Sequence, residues 1–139
     1  MTPYQVSLIG EMELPRDRRS PRAARAAVGA WLGEDHPAGY NARLVVSELV
    51  TNSVLYADGS SAVRLRLYDF GRHIRVEVED SGIRCAIPLL GVPQSDVENP
   101  AKEGGRGLFI VESVSDCWGI EILRDPAGCI VWSHIPLQE

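Results

Sequence analysis

Glu48 and Asn52 stand four residues apart in the run Ser47-Glu48-Leu49-Val50-Thr51-Asn52-Ser53. In a helix that spacing puts both side chains on one side, one turn apart. Their company is apolar. On a helical wheel Leu44, Val45, Leu49, Leu55 and Tyr56 define one arc with Glu48 and Asn52 inside it, and Val46, Val50 and Val54 make the opposite side apolar too. A helix that is apolar nearly all round is a buried one. A carboxylate and an amide inside it carry a large desolvation cost unless something pairs with them. One arrangement that meets this cost is a divalent cation carried in by a phosphate ligand, since magnesium takes oxygen ligands and keeps several waters. The other is capping by core backbone groups or a place at a solvent edge. The helix taken alone does not choose between them.

Two further stretches carry ligand chemistry. Asp80-Ser81-Gly82 closes a strand-like segment; a carboxylate there accepts a hydrogen bond from an exocyclic amine, and glycine lets a flat ligand approach the backbone. The same three residues are also ordinary turn chemistry. Glu103-Gly104-Gly105-Arg106-Gly107 precedes the apolar run Leu108-Phe109-Ile110-Val111. Backbone N–H groups at a glycine-rich helix start form an anion site, with Arg106 and Lys102 as charge-assisted donors to phosphate oxygens. The Gly-Lys-Ser/Thr ending of a Walker A loop is absent.

The elements that must position these residues follow from periodicity. Ser20-Pro21 reads as an N-cap followed by proline at the first helical position. Ala24, Val28, Trp31 and Leu32 then recur at helical spacing, predicting helix 1 to about Leu32. Gly33 and His36-Pro37-Ala38-Gly39 break it, and helix 2 runs from about Tyr40 to Ala57, before Asp58-Gly59. Val63, Leu65 and Leu67 alternate with Arg64, Arg66 and Tyr68, and Ile74, Val76 and Val78 with Arg75, Glu77 and Glu79, a hairpin about Asp69–Arg72. Between about 83 and 103 periodicity disappears in a proline-bearing stretch that reads as a lid. A short helix follows the glycine-rich loop. Two strands come last, about Trp118–Leu123 and Cys129–Leu137, and Val6–Leu14 is a candidate edge strand. The expected fold class is α+β: a single domain over residues 1–139, a two-layer α/β sandwich whose mixed four- to five-stranded sheet carries helices on one face.

Composition narrows the function classes. At 139 residues, with 45% hydrophobic and 24% charged residues, the chain suits one soluble globular domain. No apolar run approaches the roughly 20 residues of a membrane span. The opening MTPYQVSLIG lacks a basic region followed by an apolar one, so a cytoplasmic protein without membrane association is expected. A net charge of −5 argues against nucleic acid as the main partner. The basic residues are arginines save Lys102. Arg16, Arg18, Arg19, Arg22 and Arg25 cluster near helix 1, either as a solvated helix face or as a surface for an acidic protein. Cys85, Cys117 and Cys129 form no metal-like or CxxC spacing and are expected to be reduced thiols. Trp31, Trp118 and Trp132 are expected to be packing residues. His36, His73 and His134 are expected to be structural or exposed, and no Gly-x-Ser-x-Gly elbow supports a hydrolase.

Taken together and in order, the three sites resemble the N box and the two glycine boxes of the GHKL superfamily of ATPases and kinases. The segments SELVTNSVLYA, VEDSG and EGGRGLFIVE are most similar to its small single-domain branch, the anti-sigma factor serine kinases, over about Ser20 to Leu137. The resemblance implies a Bergerat-type fold binding ATP and magnesium. It makes Glu48 the general base, Asn52 the magnesium ligand and Asp80 the acceptor for the adenine amine, with Gly82 making room for the base. Lys102, Gly104, Gly105, Arg106, Gly107 and Leu108 would form the phosphate loop. The implied activity is phosphorylation of a serine on an anti-anti-sigma partner, another surface holding a sigma factor; a homodimer through the helix 1 region is also compatible. The alternative is a regulatory binding module with little turnover whose surface is set by nucleotide. Arg84 stands where a second glycine is usual, and Cys129-Ile130-Val131 where relatives often carry a threonine behind the adenine aspartate.

Overall fold

Residues that alternate apolar and charged along a segment put one face against a core and the other toward water, and that alternation organises the molecule. The computed structural model describes residues 5–56, 62–81, 105–124 and 127–137. Within them the chain runs β1 (Ser7–Pro15), α1 (Ser20–Leu32), α2 (Gly39–Tyr56), β2 (Ala62–Asp69), β3 (His73–Ser81), α3 (Gly105–Val114), β4 (Cys117–Arg124) and β5 (Ala127–Pro136). The lid expected at about 83–103 lies outside the described residues.

The five strands form one sheet in the order β1-β2-β3-β5-β4. This is the expected α+β two-layer arrangement, with the N-terminal strand at one edge. Every adjacent pair is antiparallel, which corrects the expectation of a mixed sheet. The physical reason lies in the connections. Two helices between β1 and β2 return the second strand reversed beside the first, and β5 inserts between β3 and β4, which therefore never pair.

Val63, Leu65 and Leu67 on β2, Ile74, Val76 and Val78 on β3, and Val131 and Ile135 on β5 point to one face and are buried there. Against them lie Ala24 and Val28 of α1 and Val45, Val46, Leu49 and Val50 of α2. Each such Val, Leu or Ile contributes about 1.5–3 kcal/mol on burial, so this interface dominates the stability. Helix 2 is buried on both sides for most of its length, although Tyr40 and Leu55 near its ends are exposed.

Helix 1 begins where expected, but Ser20 does not cap it. The cap residue is Arg19, with no side-chain cap bond, and the buried Ser20 hydroxyl donates to the Pro15 carbonyl instead. Asp17 Oδ1 accepts from the Arg19 N–H at 2.7 Å, ordering the entry to the helix. In the β2–β3 turn Gly71 has φ +90° and donates its N–H to Asp69 Oδ1, a backbone conformation that favours glycine. His36 likewise acts locally, its Nδ1 accepting the Ala38 N–H at 3.0 Å.

The other sheet face explains many of the arginines. Cross-strand register sets Glu11 beside Arg66 and Arg66 beside Glu77, and Glu13 beside Arg64 and Arg64 beside Glu79. Ion pairs follow at 2.7 Å for Arg64–Glu13 and 2.8 Å for Arg66–Glu79. Trp132 sits on this face under the Arg75 guanidinium, 4.7 Å from the ring centre, and not in the helix-covered core; Trp31 and Trp118 do pack against that core. His73 and His134 stack at 4.1 Å between ring centres. Burial first, then His73 and Arg75, push the His134 imidazole down to about 4.

Two outcomes follow from this packing. A Cβ placed on Gly10 would enter the Trp31 ring, beside the bulge between Leu8 and Gly10. Gly10→Ala should therefore cost about 1–3 kcal/mol by overpacking, read by chemical denaturation. His134 binds its proton more weakly folded than unfolded. Stability should therefore fall as pH drops from 6.5 toward about 4, and His134→Gln should flatten that slope in a pH series of unfolding curves.

Candidate functional site

Asn52 is 1% exposed, and among the described residues neither its Oδ1 nor its Nδ2 has a hydrogen-bond partner. A buried amide without partners costs free energy on both of its polar atoms. The amide sits on α2 between the core-facing Leu49 and the last turn of the helix, and backbone capping, one of the two arrangements open from sequence, is not what satisfies it. Such an amide fits an oxygen-seeking ligand that arrives from outside the chain, as a hydrated divalent cation on a phosphate group would.

One turn earlier, Glu48 is half-buried. Burial raises its carboxyl above the ordinary 4.5, and the Arg25 guanidinium from α1 works in the opposite direction. A glutamate held in this way is a better proton acceptor near neutrality than an exposed one. Arg25 donates from Nη1 to Ser47 Oγ at 2.6 Å, so α1 delivers a fixed positive charge beside the acid.

Asp80 lies near the end of β3, 2% exposed. Arg16, in the link between β1 and α1, donates from Nη2 to Asp80 Oδ1 at 2.6 Å and from Nη1 to the Ser53 carbonyl at 2.8 Å. One guanidinium therefore spans the aspartate and the residue after Asn52. This contact shows that the acid–amide helix and the strand-end aspartate converge on one place, as the sequence requires if they serve one ligand.

The remaining predicted residues divide. Gly105 opens α3, and Arg106, Gly107 and Leu108 continue its first turn, so the helix starts three residues earlier than the apolar run suggests. Helix 3 packs against α2 as well as β4 and β5, which brings the glycine-rich segment's helix to the acid–amide helix. Gly82, Lys102 and Gly104 lie outside the described residues.

Sequence reasoning missed two contributors. Arg16 and Arg25 read as members of a basic cluster, and only the packing of α1 and its link onto α2 and β3 separates them from their neighbours; no local spacing announces it. Cys129 was also misjudged. It is disulfide-bonded and directly opposite Asp80 in the β3–β5 register, whereas Cys117 is a free, exposed thiol. Local cysteine spacing detects only nearby pairs. The two late-strand cysteines are not neighbours, since Cys117 pairs with His134 and Cys129 with Ile122.

Among the described residues no group of His, Cys, Asp and Glu forms a metal-holding cluster, and no helix is long and apolar enough to cross a membrane. The family model of the histidine kinase-like ATPase domain matches residues 14–134. Sensor histidine kinase GraS of Staphylococcus epidermidis, in two strains, is 27% identical over 89 residues, covering 60% of this chain and 25% of its own. The chain thus spans about a quarter of the length of the curated relatives it matches. Among solved structures, that of the RsbU and RsbW domains of Rv1364c from Mycobacterium tuberculosis aligns with a TM-score of 0.59 at 19% identity, over 92% of this chain and 32% of that one, a likeness of fold. The matched stretch begins at Leu14 in β1 and ends at His134 in β5, enclosing the acid, the amide and the aspartate with the sheet that supports them, and by that match the chain belongs to the histidine kinase-like ATPase domain family.

Proposed function

We propose that this chain binds Mg-ATP and phosphorylates a serine on an anti-anti-sigma type of protein partner in the cytoplasm, and that it holds a sigma factor as its other partner. The observation that carries the reading is the buried, unpartnered Asn52 amide one turn from a glutamate whose carboxyl is raised. Magnesium, when bound with the nucleotide, would neutralise phosphate charge. Asn52 would hold that ion through its amide oxygen, and Asp80 would receive the base amine. Glu48 would take the proton from the acceptor serine hydroxyl as its oxygen bonds to the γ-phosphorus and the bond to the bridging β–γ oxygen breaks, releasing ADP. Such transfer rests mainly on positioning and charge neutralisation.

A place for the protein partner lies next to the general base. A groove of about 540 Å³ runs between α1 and α2, lined by Arg18, Arg19, Arg22 and Arg25 together with Ser47, Thr51 and Leu55. Four guanidinium groups suit an acidic segment of a partner, and Arg25 belongs both to this groove and to the surroundings of Glu48. The rival reading, a binding module with little turnover, draws on Cys129, a residue without a hydroxyl, facing Asp80 across the strands.

Labelled Mg-ATP incubated with an anti-anti-sigma partner separates the two. Transfer of label to the partner's serine is expected, with Glu48→Gln lowering it by about 10²–10⁴-fold while nucleotide still binds; tight nucleotide binding with an unlabelled partner would favour the binding module. Asn52→Ala should weaken Mg-ATP in calorimetry far more than magnesium-free ATP, and equal affinities would remove the metal role. Glu48→Gln also has a stability signature, because the folded carboxyl ionises less readily than the unfolded one. Without nucleotide the variant should be more stable than wild type above the raised pKa, and the gain should vanish below the ordinary 4.5. Unfolding curves at neutral and acid pH read this directly.

A further inference from the structure

The Arg16–Asp80 contact belongs to no role assigned above. Arg16 is only 15% exposed and Asp80 2%, and a carboxylate this buried is held in a fixed direction where donors face it. The cross-strand neighbour is Cys129, and a disulfide-bonded sulfur has no S–H to donate. Arg16, from the link between β1 and α1, donates to Asp80 instead. Its second nitrogen is fixed on the Ser53 carbonyl, so the guanidinium is anchored independently of the aspartate. A charge-assisted bond from an anchored donor sets the direction in which the carboxylate faces.

We infer that Arg16 is a positioning residue for base recognition: it orients Asp80, so that the aspartate accepts the exocyclic amine of an adenine base. This rests on the reading of Asp80 as the base acceptor. In this role the guanidinium needs no contact with the ligand. It acts through Asp80 Oδ1, and its removal is felt by the one atom group of the nucleotide that Asp80 receives. The same side chain ties the base end of the site, through Ser53, to the helical turn that carries Asn52.

The test compares the affinity of the full chain for Mg-ATP with that for magnesium purine riboside triphosphate, which lacks only the 6-amino group. Wild type should prefer ATP. Arg16→Gln should lose about tenfold of that preference, the size of one hydrogen bond to a charged group, by weakening ATP and leaving the analogue unchanged. Arg16→Lys, which keeps the charge but cannot reach both acceptors in the same way, should fall between the two. If Arg16→Gln does not fold, the lysine variant is decisive, and an intermediate preference is the supporting result. An equal loss for both nucleotides would make Arg16 a part of the scaffold alone and overturn the inference. Unchanged preference would overturn it as well, and tighter ATP binding would show a competitor for Asp80 instead of its support. Wild type that binds both nucleotides alike would refute Asp80 as the base acceptor, a failure of the underlying reading; no binding of either would remove both.

Discussion

A helix that must lie between a sheet and another helix leaves no room for an unpaired polar group, and α2 carries one. Asn52 sits among side chains that exclude water, and its amide finds no partner among the described residues. The desolvation cost of that placement is borne by the surrounding apolar interface, where Val45, Val46, Leu49 and Val50 are buried against β2, β3 and β5. The surplus of hydrophobic burial makes the polar defect tolerable. The defect leaves both polar atoms of the amide open to a group from outside the chain.

The arginines illustrate how one residue type serves several physical ends. Arg64 and Arg66 lie on the open face of the sheet, in cross-strand ladders with glutamates, where the water-facing pairs contribute little each but keep that face solvated. Arg75 covers an indole. Arg25 and Arg16 act in the opposite layer, placing positive charge beside Glu48 and Asp80. The net charge of −5 conceals this division, because the acidic and basic groups are sorted by element and face, and a sum over the chain averages them.

The two acids of the site are treated differently by their surroundings. Glu48 is half-buried with its carboxyl raised, chiefly by desolvation. Asp80 is fully buried and bound by a guanidinium at 2.6 Å. One environment raises a carboxyl by desolvation, and the other fixes a carboxylate oxygen on a guanidinium donor. Two carboxylates of nearly equal intrinsic acidity are thus placed in different chemical surroundings by what packs against them.

Local pattern in the chain was enough to determine the elements, because side-chain period is a property of neighbours in sequence. The alternation of Val63 to Tyr68 and Ile74 to Glu79 specified a hairpin with a charged outer face, and the i, i+4 spacing of Glu48 and Asn52 placed both on one turn-separated face of α2. Tertiary structure alone decided what those residues meet. The pairing of β5 between β3 and β4 made every neighbour antiparallel, and burial turned Ser20 inward, away from capping its helix. The register set a disulfide-bonded Cys129 opposite Asp80, and Arg16 reached that aspartate, 64 residues distant, from the link between β1 and α1. Contacts of this kind depend on how separate segments are brought together in space, and no periodicity along the chain encodes them.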